Sequence, residues 1–439
     1  MLNNALFAAG SAQELVIHPW LILPFVLLLL SIALIPLINS KWWEKYYWLV
    51  SVGLGAFVLC YYLFIFKAPV KMLHVAHEYI SFIVLIGSLF VVSGGIHIST
   101  KGQAKPLINC IFLFAGSILA NLVGTTGASM LMIRPWIRMN RRRITGFHIV
   151  FFIFIVSNIA GVLTPIGDPP LFLGFLRGVP FWWTLEHCWM GWLIAVLLVL
   201  AIFYVIDLLN YRKAMRHMKE IPNDEDEKIS VTGLPNLFFL LMILCAVFIE
   251  KPLFLRESLM VLAAVGSYLT TSRQVHERND FTFGPIKEVA WLFAGIFLTM
   301  TPALAYLGTH AESFGIDSPI KFFWCTGILS GFLDNAPTYL TFLATAMGLY
   351  DMDVGSKQEV LAFVGEHGHH LIAISLGAVF FGAMTYIGNG PNFMVKSIAD
   401  RAGIHMPTFF GYLLKYSIPI LIPVFLLITI LFFSPWAIF

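Results

Sequence analysis

The stretches TPIGDPPLF (Thr164–Phe172) and TYIGNGPNF (Thr385–Phe393) read as two copies of one element, with Thr, Ile, Gly, Pro and Phe in register. Each interrupts a long apolar run with Gly and Pro, which a continuous helix does not carry. Outward from each copy, towards the N-terminus, lies a second break: NLVGTTGAS (121–129) in the first half and GFLDNAPT (331–338) in the second. The apolar pieces Pro106–Ala120 and Ser129–Trp136 beside the first are each too short to cross a hydrocarbon core of roughly 30 Å. The pattern predicts re-entrant hairpins at about 106–136 and 318–348, each followed by a broken span, at 146–178 and 368–400.

Composition sets the solvent. The chain is 59% hydrophobic and only 12% charged, about half the charged fraction of a soluble domain, so lipid rather than water surrounds most of it. Further spans are expected at 16–38, 46–66, 79–98, 189–209, 234–250, 253–271, 285–306 and 405–434. The fold class is then an all-α polytopic membrane protein of about ten transmembrane helices plus two re-entrant hairpins in two inverted-topology repeats. Residues 1–209 form the first repeat, 210–233 a cytoplasmic linker with both signs of charge, and 234–439 the second. The first fifteen residues lack the basic and apolar regions of a cleavable signal, so the first span is expected to stay as an anchor. Cys60, Cys110, Cys188, Cys245 and Cys325 stand singly in apolar sequence and read as packing.

Orientation follows from charge. With the N-terminus outside, segments assigned to the cytoplasm hold 19 Lys and Arg and those assigned to the outside hold 7, as expected where short cytoplasmic loops collect basic residues. The first hairpin is flanked by Lys101, Lys105 and the run Arg134–Arg143 and opens to the cytoplasm. The second is flanked by Glu312, Asp317, Asp351 and Asp353 and opens to the outside. Compact loops fit a bacterial inner membrane.

Four breaks at membrane depth call for a shared purpose, because unpaired backbone is tolerated there only beside protein or a water-filled cavity. Asp168 and Asp334 carry the chemistry, since an Asp near the centre of a membrane helix costs roughly 2.5–3.5 kcal/mol on the insertion scale. With Asn335 they are candidates for binding sodium or protons. The bland alternative is that each only caps a half-helix. Thr125, Thr126, Thr164, Thr338, Thr385, Asn389 and Asn392, with Asn121 and Asn158, supply neutral oxygens as site lining or as hydrogen bonds between helices. His367, His369 and His370 fall in an outer loop that reads as solvated, and His148 and His187 read as interfacial. The basic run Arg134–Arg143 could attract anionic lipid, although topology already accounts for it.

At DNAPT (Asp334–Thr338), at IGNGPN (Ile387–Asn392) and in the flanking hairpins, nearly the whole chain resembles the ion transporter superfamily. The branch is that of NhaD-type sodium/proton antiporters, arsenite efflux pumps and citrate-transporter-like proteins. The resemblance implies inverted repeats, a homodimer, and a cation or proton role for Asp334 and Asn335. One departure matters: dicarboxylate carriers of the superfamily carry Ser-Asn-Thr at the hairpin tips, and these tips read Gly-Thr-Thr-Gly and Asp-Asn-Ala-Pro. The leading expectation is a sodium/proton antiporter in which Asp334 and Asp168 alternately hold protons and sodium. The runner-up is a proton- or sodium-coupled carrier of citrate, a dicarboxylate or another anion such as arsenite. No enzyme is expected, since HExxH and GxSxG are absent from the sequence. Nor is a cofactor beyond the coupling ions; membrane lipid and a small ion are the expected partners, and nucleic acid is not.

Overall fold

The computed structural model describes residues 17–100, 105–217, 229–249 and 251–434. The first fifteen residues, Lys101 and the middle of the charged linker, 218–228, lie outside the described residues. Among the described residues eight helical stretches are long and apolar enough to cross a bilayer, or up to nine if Lys357–Glu366 and Gly368–Met384, bent by 99°, form one span. The chain is thus an all-α, multi-pass membrane protein. Rows of exposed leucines such as Leu23, Leu27, Leu30 and Leu34 suit a hydrocarbon solvent.

Two helical runs are folded back on themselves. Helices α1 (Pro19–Pro36) and α2 (Ile38–Ile65) meet at Asn39, whose backbone leaves the helical region and whose Oδ1 accepts the Trp42 N–H at 3.1 Å. The Trp20 and Tyr61 rings lie 5.2 Å apart, where a straight helix would separate them by about 60 Å. Helix α3 is Pro69–Gly94. Helix α4, Pro106–Met139, turns at Gly124, where φ is +77° and ψ 156°, a conformation that suits glycine. Asn109 Nδ2 donates to Asn140 Oδ1 at 2.8 Å, and the Phe112 and Trp136 rings stack at 5.8 Å, so α4 is a hairpin and not one span.

The first broken span comprises α5 (Gly146–Ile155), a tight turn at Ile159–Leu163 and α6 (Pro169–Arg177). Helix α7 (Trp183–His217) closes the first half. Strand β1 (His97–Thr100) pairs antiparallel with β2 (Ile229–Thr232), so the expected linker is helix at its start and strand at its end. In the second half α8 (Asn236–Val247) and α9 (Leu255–Thr270) are about 18 and 24 Å long, shorter than the full spans expected there. Helices α10 (Arg273–Arg278) and α11 (Gly284–Thr309) follow. The second hairpin is α12 (Pro319–Phe332) and α13 (Asn335–Gly348), closed by an edge-to-face contact of Phe322 on Phe342 at 6.3 Å. Then come α14 (Lys357–Glu366), α15 (Gly368–Phe381), a turn at Gly382–Met384, α16 (Gly390–Arg401) and α17 (Phe409–Phe432).

Polar ties fix the hairpins. Asp207 of α7, fully buried, accepts from Asn109 Nδ2 at 2.8 Å, from Arg143 Nη2 at 3.1 Å, and from His148, whose Nε2 lies 3.1 Å away. Both feet of the first hairpin are thereby anchored to α7. His148 is buried in this node rather than interfacial, because Thr145 N–H donates to its Nδ1 and leaves the Nε2 proton for Asp207. Of the three histidines expected in a solvated loop, His369 is exposed, whereas His367 stacks on Tyr350 at 3.5 Å at the sharp α14–α15 joint and His370 is buried with its ring edge-to-face on Phe322. At the far end of α6, Arg177 Nη2 donates to Glu78 Oε2 of α3 at 2.8 Å.

Candidate ion-binding site

The four breaks converge, and the same bonds build both halves. Thr164 Oγ1 donates to the Asn121 carbonyl at 2.7 Å, and Thr385 Oγ1 donates to the Gly331 carbonyl at 2.7 Å. In each half the broken span is thus pinned to the last turn of its hairpin's first arm. Glycine permits the close approach: a Cβ on Gly167 would stand 2.3 Å from the Gly161 carbonyl oxygen, and one on Gly388 would stand 2.9 Å from that of Gly382. Three residues beyond the pinned carbonyl stands Gly124 in one half and Asp334 in the other, followed by Thr125 and Asn335.

Those positions bring together Thr125, Asp168, Asn335 and Asn389, each at the start of a half-helix. Asp168 is 1% exposed. Its Oδ1 accepts from Thr125 Oγ1 at 2.7 Å and from Asn389 Nδ2 at 3.1 Å, and its Oδ2 accepts from Asn335 Nδ2. Both hairpin tips and the second broken span therefore grip one carboxylate. Every donor is neutral. The other arm of the Asn335 amide, Oδ1, is buried with no hydrogen-bond partner among the described residues. A cavity of about 30 Å³ adjoins Asp168, lined by Gly124, Thr125 and Thr126 of the hairpin tip, Pro165 of the break, and Leu89 and Phe90 of α3. That is room for one or two water-sized groups.

Asp334 stands differently. It is half-buried, and its Oδ1 accepts the Ala336 N–H of its own helix at 3.0 Å. Asp168 makes no such bond to α6. The remaining lining candidates brace the breaks. Thr338 Oγ1 donates to the Asp334 carbonyl at 2.8 Å, and Asn392 Nδ2 donates to the carbonyls of Gly382 and Thr385 at 2.8 and 3.0 Å. Asn158 Nδ2 donates to Asn392 Oδ1 at 2.7 Å across the halves, and Asn121 Oδ1 accepts the Leu163 N–H at 3.0 Å. Sequence reasoning passed over Asp207, an acid inside an apolar run, which was the signal available for finding it, and Glu78, which stands just before the expected span 79–98.

Comparison with known proteins gives the family. A family model described as "Putative citrate transport" matches residues 14–433. An uncharacterized transporter of Mycobacterium bovis and one of Mycobacterium tuberculosis are each 25% identical over 321 residues, covering 69% of this chain and 72% of the relative. With nearly its whole length matched, the chain belongs to this citrate-transport family, within the ion transporter superfamily that its DNAPT and IGNGPN elements resemble.

Proposed function

We propose that the protein is a secondary transporter exchanging sodium for protons, with Asp168 as the group that holds either ion. One observation carries this reading: a fully buried carboxylate held by three neutral donors, with no Lys, Arg or His among its partners in the described residues. An ionised carboxylate in such a place is strongly unfavourable unless a cation or a proton joins it. Sodium brings its charge and takes oxygens from Asp168, the Thr125 hydroxyl and the Asn335 amide; a proton neutralises the same carboxylate when sodium leaves. The repeated breaks then supply alternating access, each half opening the shared site to one face. Raising sodium shifts the pH of half-maximal transport towards the acid, because the cation favours the ionised form.

A second reading has its own support. The family match favours citrate, and in that case Asp168 holds the coupling ion while the half-helix N-termini grip carboxylates. The cavity of about 30 Å³ suits an ion better than a tricarboxylate in this conformation, which is why exchange is preferred. Purified protein in proteoliposomes separates the two: sodium-driven proton movement without labelled citrate uptake supports the first, and sodium- or proton-driven uptake supports the second. The charge distribution supports an N-terminus outside, and the compact loops fit a bacterial inner membrane. A cysteine placed in 140–145 should react with impermeant reagents only from the cytoplasm, and one in 355–366 only from outside; labelling of both from one face contradicts this orientation.

A further inference from the structure

We infer that the exchange is electroneutral, one small monovalent cation against one proton, and that the site rejects divalent cations. The inference rests on the exchange reading above and adds its stoichiometry and charge selectivity. It follows from a charge inventory. Among the described residues lining the cavity, Asp168 is the one titratable group; the rest are apolar side chains, glycines, prolines and threonines. Thr125, Asn335 and Asn389, which hold the carboxylate, are neutral in every state of the cycle. Helix ends do not change the count. At each of the four breaks one half-helix ends and another begins, so positive and negative helix ends meet in equal number and their fields largely offset.

Asp334 is the nearest competitor for a second proton. Its carboxylate is turned back onto the Ala336 N–H at the start of α13 and is half-buried, and it is absent from the cavity lining. Asn335, which lies outside the cavity lining as Asp334 does, differs in reaching the carboxylate itself through Nδ2, with its Oδ1 buried and unpartnered among the described residues. Occupied by a monovalent cation or by a proton, the centre is neutral. With neither it carries one uncompensated negative charge, and with a divalent cation one uncompensated positive charge; both states are strongly disfavoured inside a low-dielectric interior. The centre therefore changes its exposure only when loaded with one monovalent ion. A space of about 30 Å³ admits a largely dehydrated small cation, with a water or two at most.

The test is a balance-point measurement on the full chain in proteoliposomes, with a sodium gradient imposed and the potential clamped by potassium and valinomycin. Net sodium flux is expected to vanish where the proton gradient equals the sodium gradient, at every clamped potential. Lithium should replace sodium, and calcium should drive no proton movement. One net charge per cycle would instead displace the balance point roughly 50-fold for about 100 mV; that result overturns the stoichiometry and leaves exchange standing. Proton movement driven by calcium overturns the monovalent assignment. Absence of any sodium–proton exchange at any potential overturns the underlying reading, and this inference with it.

Discussion

Asp168 precedes α6 and Asp334 precedes α13, both with extended backbone at the mouth of a half-helix, yet only Asp334 gives its carboxylate to that helix. The difference comes from neighbours. Thr125 and Asn335 begin the second arms of the two hairpins, and both reach across to Asp168, as does Asn389, which fills in the second half the place that Asp168 fills in the first. A repeated scaffold has thus produced one shared centre and not two. Asp in one copy and Asn in the other make the pair complementary, one accepting and one donating. Two charges at this depth would repel each other, and two amides would leave nothing to titrate.

The sharpest way to break this comparison is to make the copies alike. Asp168→Asn keeps the shape but removes the charge, and on the proposed reading exchange should fall on the order of 100-fold or more, because that reading has this carboxylate carry either ion. Expression and thermal stability should stay near parental values; near-normal exchange in this variant would place the titrating group elsewhere. Next in size is Asn335→Ala, which removes a donor to the carboxylate and the orphan oxygen. Losing a hydrogen bond to a charged group costs about 1.5–3 kcal/mol, so sodium affinity should weaken about 10- to 100-fold, read as a rise in the sodium KM. An unchanged KM would take Asn335 out of the site.

Asp334 supplies the smaller contrast. Asp334→Asn retains a capping oxygen and should alter exchange by no more than about twofold. Asp334→Ala loses the cap and about 1 kcal/mol of stability, seen as a lower melting temperature with exchange retained. Loss of exchange in the Asn variant would return Asp334 to the centre of the account. Smallest of all are Thr164→Val and Thr385→Val, whose hydroxyls make equivalent bonds to Asn121 and Gly331. Each should cost about 1 kcal/mol. Similar losses, with the sodium KM unchanged, would sharpen the case that the two breaks are built alike.

Much of this was legible in the residues. Apolar runs too short to span, parted by GTTG and DNAP, located both hairpins, and the TPIGDPP/TYIGNGP match located the breaks. The different contacts of the two aspartates were not legible, because a side chain that caps its own helix and one that turns to a neighbour have the same sequence signature. Thr164, Thr338, Thr385 and Asn392 looked like lining for a related reason: hydroxyls and amides that brace a broken helix are chemically the same as those that face a cavity. Asp207 was hidden in an apolar run, and its partners Asn109, Arg143 and His148 meet it only once the hairpin has folded back. The short α8 and α9 were read as full spans because apolar loop residues extend their hydropathy beyond their helices.

The central claim, that Asp168 is the carboxylate at which sodium and a proton compete, is tested most directly by proton release in weakly buffered detergent solution when sodium is added. The parent protein and Asp334→Asn should each release protons in a saturable, pH-dependent way, and Asp168→Asn should release none. Release that persists in Asp168→Asn and disappears in Asp334→Asn would contradict the account.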